Sequence, residues 1–113
     1  MQNDSRGQWI TQHQHSHAKN EWELIIWEAD KNQSKTIIID RTFIDETTNQ
    51  RWIIDYKTTE NENKISIENM PKTYREQLEY YGQCLYRMDS TFPIFLGLYY
   101  PLTKTWISWP YQG

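Results

Sequence analysis

In the stretch IIIDRTFIDETTNQRWIIDYKTTE, residues 37–60, two apolar runs each end in a carboxylate: Asp40 follows three isoleucines, and Asp55 follows Trp-Ile-Ile. An unpaired carboxylate in an apolar setting costs several kcal/mol or gives up its charge through a pKa shift, so both placements need a reason. Lys57 stands two residues beyond Asp55. Side chains alternate across a strand, which puts Asp55 and Lys57 on one face and Ile54 and Tyr56 on the other. An acid, a spacer and a lysine therefore aim opposite charges at one spot. Two carboxylates can hold Mg²⁺, which keeps waters and phosphate oxygens in the rest of its shell. Metal of this kind makes bound water a better nucleophile and neutralises charge developing on a phosphate. A lysine beside it can orient or deprotonate that water, or stabilise the pentavalent state. The chemistry is metal-assisted attack on a phosphodiester. The competing reading is a plain salt bridge at a sheet edge, because structural ion pairs mimic functional sites.

For Asp40 to join Asp55, the two strands must form a hairpin whose turn holds an even number of residues. TTNQ as the turn, with Glu46 facing Arg51, meets that condition and sets Asp40 across from Lys57, on the face of Ile38 and Thr42. EWELIIWEA (21–29), KTIIIDRTFIDE (35–46) and RWIIDYKTT (51–59) have the β-branched and aromatic content of strands, DKNQSK (30–35) is a connection, and ENENKISIENM (60–70) is a polar loop. The period changes in PKTYREQLEYYGQCLYRM (71–88), where Tyr74, Leu78, Tyr81, Leu85 and Met88 draw one apolar stripe down a helix. Pro71 suits its first turn, and Thr73 with Glu76 matches a capping box. PIFLGLYY (93–100) reads as a strand covered on both faces, and WISWP (106–110) as a last strand. The expected fold class is α+β: a mixed sheet of about five strands with a helix packed on it, in the order β-β-β-α-β-β.

At 113 residues the chain is one domain, with residues 1–20 as a polar arm that carries His13, His15 and His17. The net charge of -3 argues against a free-standing nucleic-acid binder, and Lys31, Lys35, Lys64, Lys72 and Arg75 are scattered. If DNA is the partner, something else supplies most of the attraction. A lone cysteine, Cys84, rules out an internal disulfide and a multi-cysteine zinc site. A cytoplasmic, reducing setting fits, and no apolar run has the length of a membrane span. The six tryptophans could stack on unpaired bases, or more simply fill core and rim.

Taken in order, IIIDRTFID, RWIIDYKTT and YREQLEYYGQCL resemble the PD-(D/E)XK nuclease domain of the RecB and AddA type, found at the C-terminus of many UvrD-like superfamily-one helicases. The match covers about residues 21–110, and its specificity lies in the three motifs together. The resemblance implies a restriction-endonuclease-like fold, Mg²⁺ (with Mn²⁺ as substitute), DNA as substrate and helicase motor domains as partners. It implies Asp40 and Asp55 as metal ligands, with the carbonyl of Tyr56 as a further one, and Lys57 as the catalytic lysine. Gln77 and Tyr81 match the helix motif beside the site, although Tyr81 also lies on the apolar stripe. Arg41 and Tyr74 are secondary candidates, for an ion pair and for packing. Family members begin with a helix bearing a further ligand, and none is evident before residue 21. One of His13, His15, His17, Glu21 or Glu23 could take that place, the histidines reading more simply as solvated loop residues. The expectation is that residues 21–113 are an excised C-terminal part of a larger helicase. Two other readings stay open: an inactive nuclease fold used for DNA binding or scaffolding in a helicase, and an unrelated interaction domain with an ordinary ion pair.

Overall fold

The computed structural model describes residues 5–11, 15–57 and 70–112. His13 and the loop expected over 60–70, save its last residue, lie outside them. The elements run α1 (Ser5–Ile10), β1 (Ser16–Glu28), β2 (Gln33–Asp45), β3 (Gln50–Tyr56), α2 (Lys72–Met88), β4 (Ile94–Tyr100) and β5 (Thr105–Pro110). The expected α+β order therefore stands. A short helix precedes it, and β1 begins within the segment expected to be an arm.

The five strands form one sheet in the order β1-β2-β3-β4-β5. Neighbours are antiparallel except β3 and β4, which are parallel and joined by the crossover through α2. Each hairpin turn has four residues and ends in the left-handed region: Asn32 at φ 50°, Asn49 at φ 57° and Lys104 at φ 55°. Asparagine tolerates that conformation better than most residues, which explains two of the three.

Asn49 also corrects the register. Asp45 closes the turn by accepting the Thr47 N–H on its carboxylate (3.0 Å) and the Asn49 N–H on its carbonyl (2.7 Å). The loop is thus Glu46–Asn49, and Ile44, not Glu46, faces Arg51. The turn keeps an even count, but Asp40 falls across from Asp55 instead of Lys57, one step beyond the last ladder pair, Arg41–Ile54.

Two cores form, one on each face. Ile37, Ile39, Ile53, Leu96, Leu98 and Trp109 pack against Leu78, Tyr81 and Leu85 of α2. On the other face Phe43, Trp52, Ile54 and Tyr99 pack with Ile10 of α1. β4 is covered on both sides, as its apolar sequence requires. Met88 departs from the expected stripe: it is 56% exposed, while Gly82 and Cys84 are buried. The capping box does not form either. Pro71 is itself the N-cap, which leaves Thr73 inside the first turn with no side-chain cap bond. Among the described residues, no helix is long and apolar enough to cross a membrane.

Candidate functional site

Ile37 and Ile39 belong to the helix-side core, yet Phe43, also an odd position, belongs to the opposite one. Strict alternation would put all three on one face, so β2 inverts between Ile39 and Phe43. β1 shows the counterpart. Its pairing with β2 skips one position, from Asn20–Arg41 to Trp22–Ile39, and the skipped residue, Glu21, has φ 48°. The residue opposite Glu21 is Asp40. The expectation that Asp40 shares a face with Ile38 fails for this reason: Ile38 is 51% exposed, and Asp40 is half-buried at the inversion.

β2 and β3 both continue past Arg41–Ile54, but their ladder ends there. In place of a ladder carbonyl, Asp40 Oδ2 accepts the Tyr56 N–H at 2.9 Å. The N–H and C=O of a strand residue leave by the same edge, so the Tyr56 carbonyl belongs to this fork as well. Asp55 projects into the fork from β3, across from Asp40 and beside Lys57, whose Nζ lies 2.7 Å from Asp55 Oδ2. Burial, followed by the facing Asp40 carboxylate, pushes the Asp55 carboxyl up to about 6, against the opposing pull of Lys57. Below about pH 6 the Asp55 carboxyl therefore holds its proton.

α2 covers this fork. The Lys57 ammonium sits 3.9 Å from the centre of the Tyr74 ring, a cation–π contact that fixes the amine from the side away from Asp55. Tyr74 was expected only to pack; nothing local in the sequence links it to a lysine that lies before an intervening loop. Tyr81 is buried, and its hydroxyl accepts the Gln77 amide N–H at 2.9 Å. Burial raises the Tyr81 phenol, the Gln77 bond opposes this, and the charges of Asp55 and Asp40 raise it further. The helix therefore presents a protonated phenol toward the two carboxylates.

Other candidates lie elsewhere. His15 stacks flat on Phe43 at 3.9 Å between centroids and bonds through Nε2 to the Trp9 carbonyl, so it is a packing residue of the second core and not a solvated one. His17 lines a cleft at the far end of α2. Glu21 and Glu23 are exposed. Arg41 donates to the Ile10 carbonyl (2.8 Å) and the Asn20 side chain (3.0 Å), so it caps the end of α1.

Among the described residues, no group of three or more His, Cys, Asp or Glu side chains is arranged to hold a metal. The oxygen set at the fork nevertheless fits a hard divalent cation. Asp55 Oδ2 is buried and lacks a well-directed hydrogen bond despite the nearby ammonium, and Mg²⁺ is commonly held by one or two carboxylates, with water and phosphate completing its shell. No protein-family model matches this chain, and no curated protein is significantly similar to it in sequence.

Proposed function

We propose that the chain is a metal-dependent deoxyribonuclease domain of the PD-(D/E)XK kind, which hydrolyses DNA phosphodiesters beside helicase motor domains in the cytoplasm, in DNA end processing and recombinational repair. The observation that carries this reading is the fork itself. Two carboxylates from adjacent strands face each other across the end of the ladder, with an ammonium 2.7 Å from one of them. An ordinary edge salt bridge has no need of the second carboxylate, whose presence works against ionisation of the first.

On this reading Asp40, Asp55 and the Tyr56 carbonyl hold Mg²⁺ or Mn²⁺. The ion supplies a nucleophilic water and neutralises charge on the phosphate. Lys57, steadied by Tyr74, orients the attacking water and stabilises the growing negative charge on the phosphoryl oxygens. Tyr81, held by Gln77, offers a hydroxyl proton to a non-bridging oxygen of the substrate. α2 lies over the fork through Tyr74, and partial burial of Asp55 and Lys57 strengthens each of these interactions.

The test is digestion of linear DNA by the chain with Mg²⁺, compared with its Asp40→Ala and Lys57→Ala variants. The reading expects cleavage by the parent chain and loss in both variants. DNA left intact by the parent chain, alone and joined to a helicase partner, would leave only a binding or scaffolding role for the fold.

A further inference from the structure

The far end of α2 holds a second constellation that the phosphodiester chemistry does not use. A cavity of about 220 Å³ opens between the start of β1 and the last turn of α2, lined by His17, Lys19, Trp22, Arg51, Met88 and Asp89 among others. Its cations come from separate parts of the chain. A register shift in β1 between Ser16 and Lys19, with His17 at φ 54°, turns the start of that strand toward the cleft. Arg51 comes from β3 and is 91% buried, at 9% exposure. Asp89 meets its guanidinium at one point only, Nη2 to Oδ2 at 3.3 Å, and shares its carboxylate with the Thr91 N–H. The Arg51 Nε is buried and has no hydrogen-bond partner among the described residues.

A guanidinium is a planar fork of five N–H donors, suited to an anion with several oxygens. Asp89 engages only one prong, Nη2, of a guanidinium that lines the cleft. Beside it the Lys19 ammonium rides 5.4 Å from the centre of the Trp22 ring, so a second positive charge and an aromatic face border the same space. Lys19 and Arg51 together outweigh Asp89, in a chain whose net charge is -3.

We infer that this cleft binds a backbone phosphate of single-stranded DNA, with the neighbouring sugar and base against Trp22. The identity of the strand rests on the nuclease reading; the anion-binding character of the cleft does not. Arg51 and Asp55 lie on the same face of β3, four residues apart. That is ~13 Å at strand rise, a span that a nucleic-acid strand crosses in a few nucleotides. Ile53, between them, is buried under α2, so a strand that touches both the carboxylate fork and Arg51 passes around α2. The cleft would supply the local attraction that the acidic chain otherwise lacks.

The test is fluorescence anisotropy with a dye-labelled single-stranded oligodeoxynucleotide in EDTA, so that neither cleavage nor metal binding contributes. Lys19→Glu should weaken binding several-fold and make the slope of log affinity against log salt shallower by about 1. Trp22→Ala should weaken it with an unchanged slope, and Arg51→Gln, checked for folding by circular dichroism, should behave like Lys19→Glu. Lys104→Glu, the same charge change in the β4–β5 turn, should leave binding within twofold. Equal loss in Lys104→Glu and Lys19→Glu would overturn the inference, as would unchanged binding in Lys19→Glu. Inorganic pyrophosphate bound as tightly as the oligonucleotide would overturn the strand as occupant. If DNA is bound through this cleft but not cut with Mg²⁺, the nuclease reading fails and the cleft stands.

Discussion

At the residue scale, the fork makes the stability of the fold depend on pH. Asp55 carries a carboxyl raised from 3.8 to about 6, chiefly by burial. A carboxyl raised in the folded state stabilises the fold below its ordinary value and loses that contribution as pH rises through the folded value. Metal-free stability should therefore fall between about pH 4 and about pH 6 by roughly 1–3 kcal/mol from this group. Asp55→Asn should flatten that segment of the profile and raise metal-free stability at neutral pH, as read by thermal denaturation in EDTA. An unchanged profile would mean that Asp55 ionises freely. Lys57 should separate binding from chemistry: Lys57→Ala keeps Mn²⁺ affinity within a few-fold by calorimetry and abolishes cleavage. For Tyr74 the aromatic face matters and the hydroxyl does not. Tyr74→Phe should retain cleavage, and Tyr74→Leu should lower it by up to about tenfold, the scale of a lost cation–π contact.

At the scale of elements, the sheet and α2 rest on close packing. Leu78 is fully buried between α2 and the sheet, so Leu78→Ala should cost about 2–5 kcal/mol in chemical denaturation. Gly97 of β4 lies under the Trp106 indole, where an added Cβ would come within 2.4 Å of the ring. The ring is packed in the second core and gives way poorly, so Gly97→Ala should cost about 1–3 kcal/mol. The strands and α2 were legible from their apolar runs and from the change of period at residues 71–88. The inversion at Glu21 and Asp40 was not, because it uses a glutamate in a left-handed conformation that no local residue type signals. The register was missed by one residue on each strand, since both turns have four residues and only the bonds made by Asp45 choose between them. Asp40 still meets Asp55 because the parity of the turn, which both registers share, decides whether the two acids fall on one face.

At the scale of the whole molecule, the short α1, with His15, forms a lid over the second face. Trp9 donates its indole N–H to Asp45 at 2.9 Å and packs edge-on against Phe43, Trp52 and Trp106. Ile10 is fully buried there. A polar, histidine-bearing stretch gave little periodic signal for this, because six helical residues bury only two or three side chains. Removing residues 1–14 should uncover Phe43, Trp52 and Ile54 and lower the melting temperature by several degrees, on the order of 2–4 kcal/mol of lost burial. The basic cleft was equally hidden: Lys19 and Arg51 stand 32 residues apart, and only the sheet brings them to one cavity.

The central claim is that Asp40 and Asp55 share a divalent cation where β2 and β3 part. A crystal soaked in manganese and recorded at the manganese edge tests it directly. The account predicts one anomalous peak in contact with a carboxylate oxygen from each aspartate, lost in Asp55→Ala. Two facing carboxylates with no peak between them would contradict it.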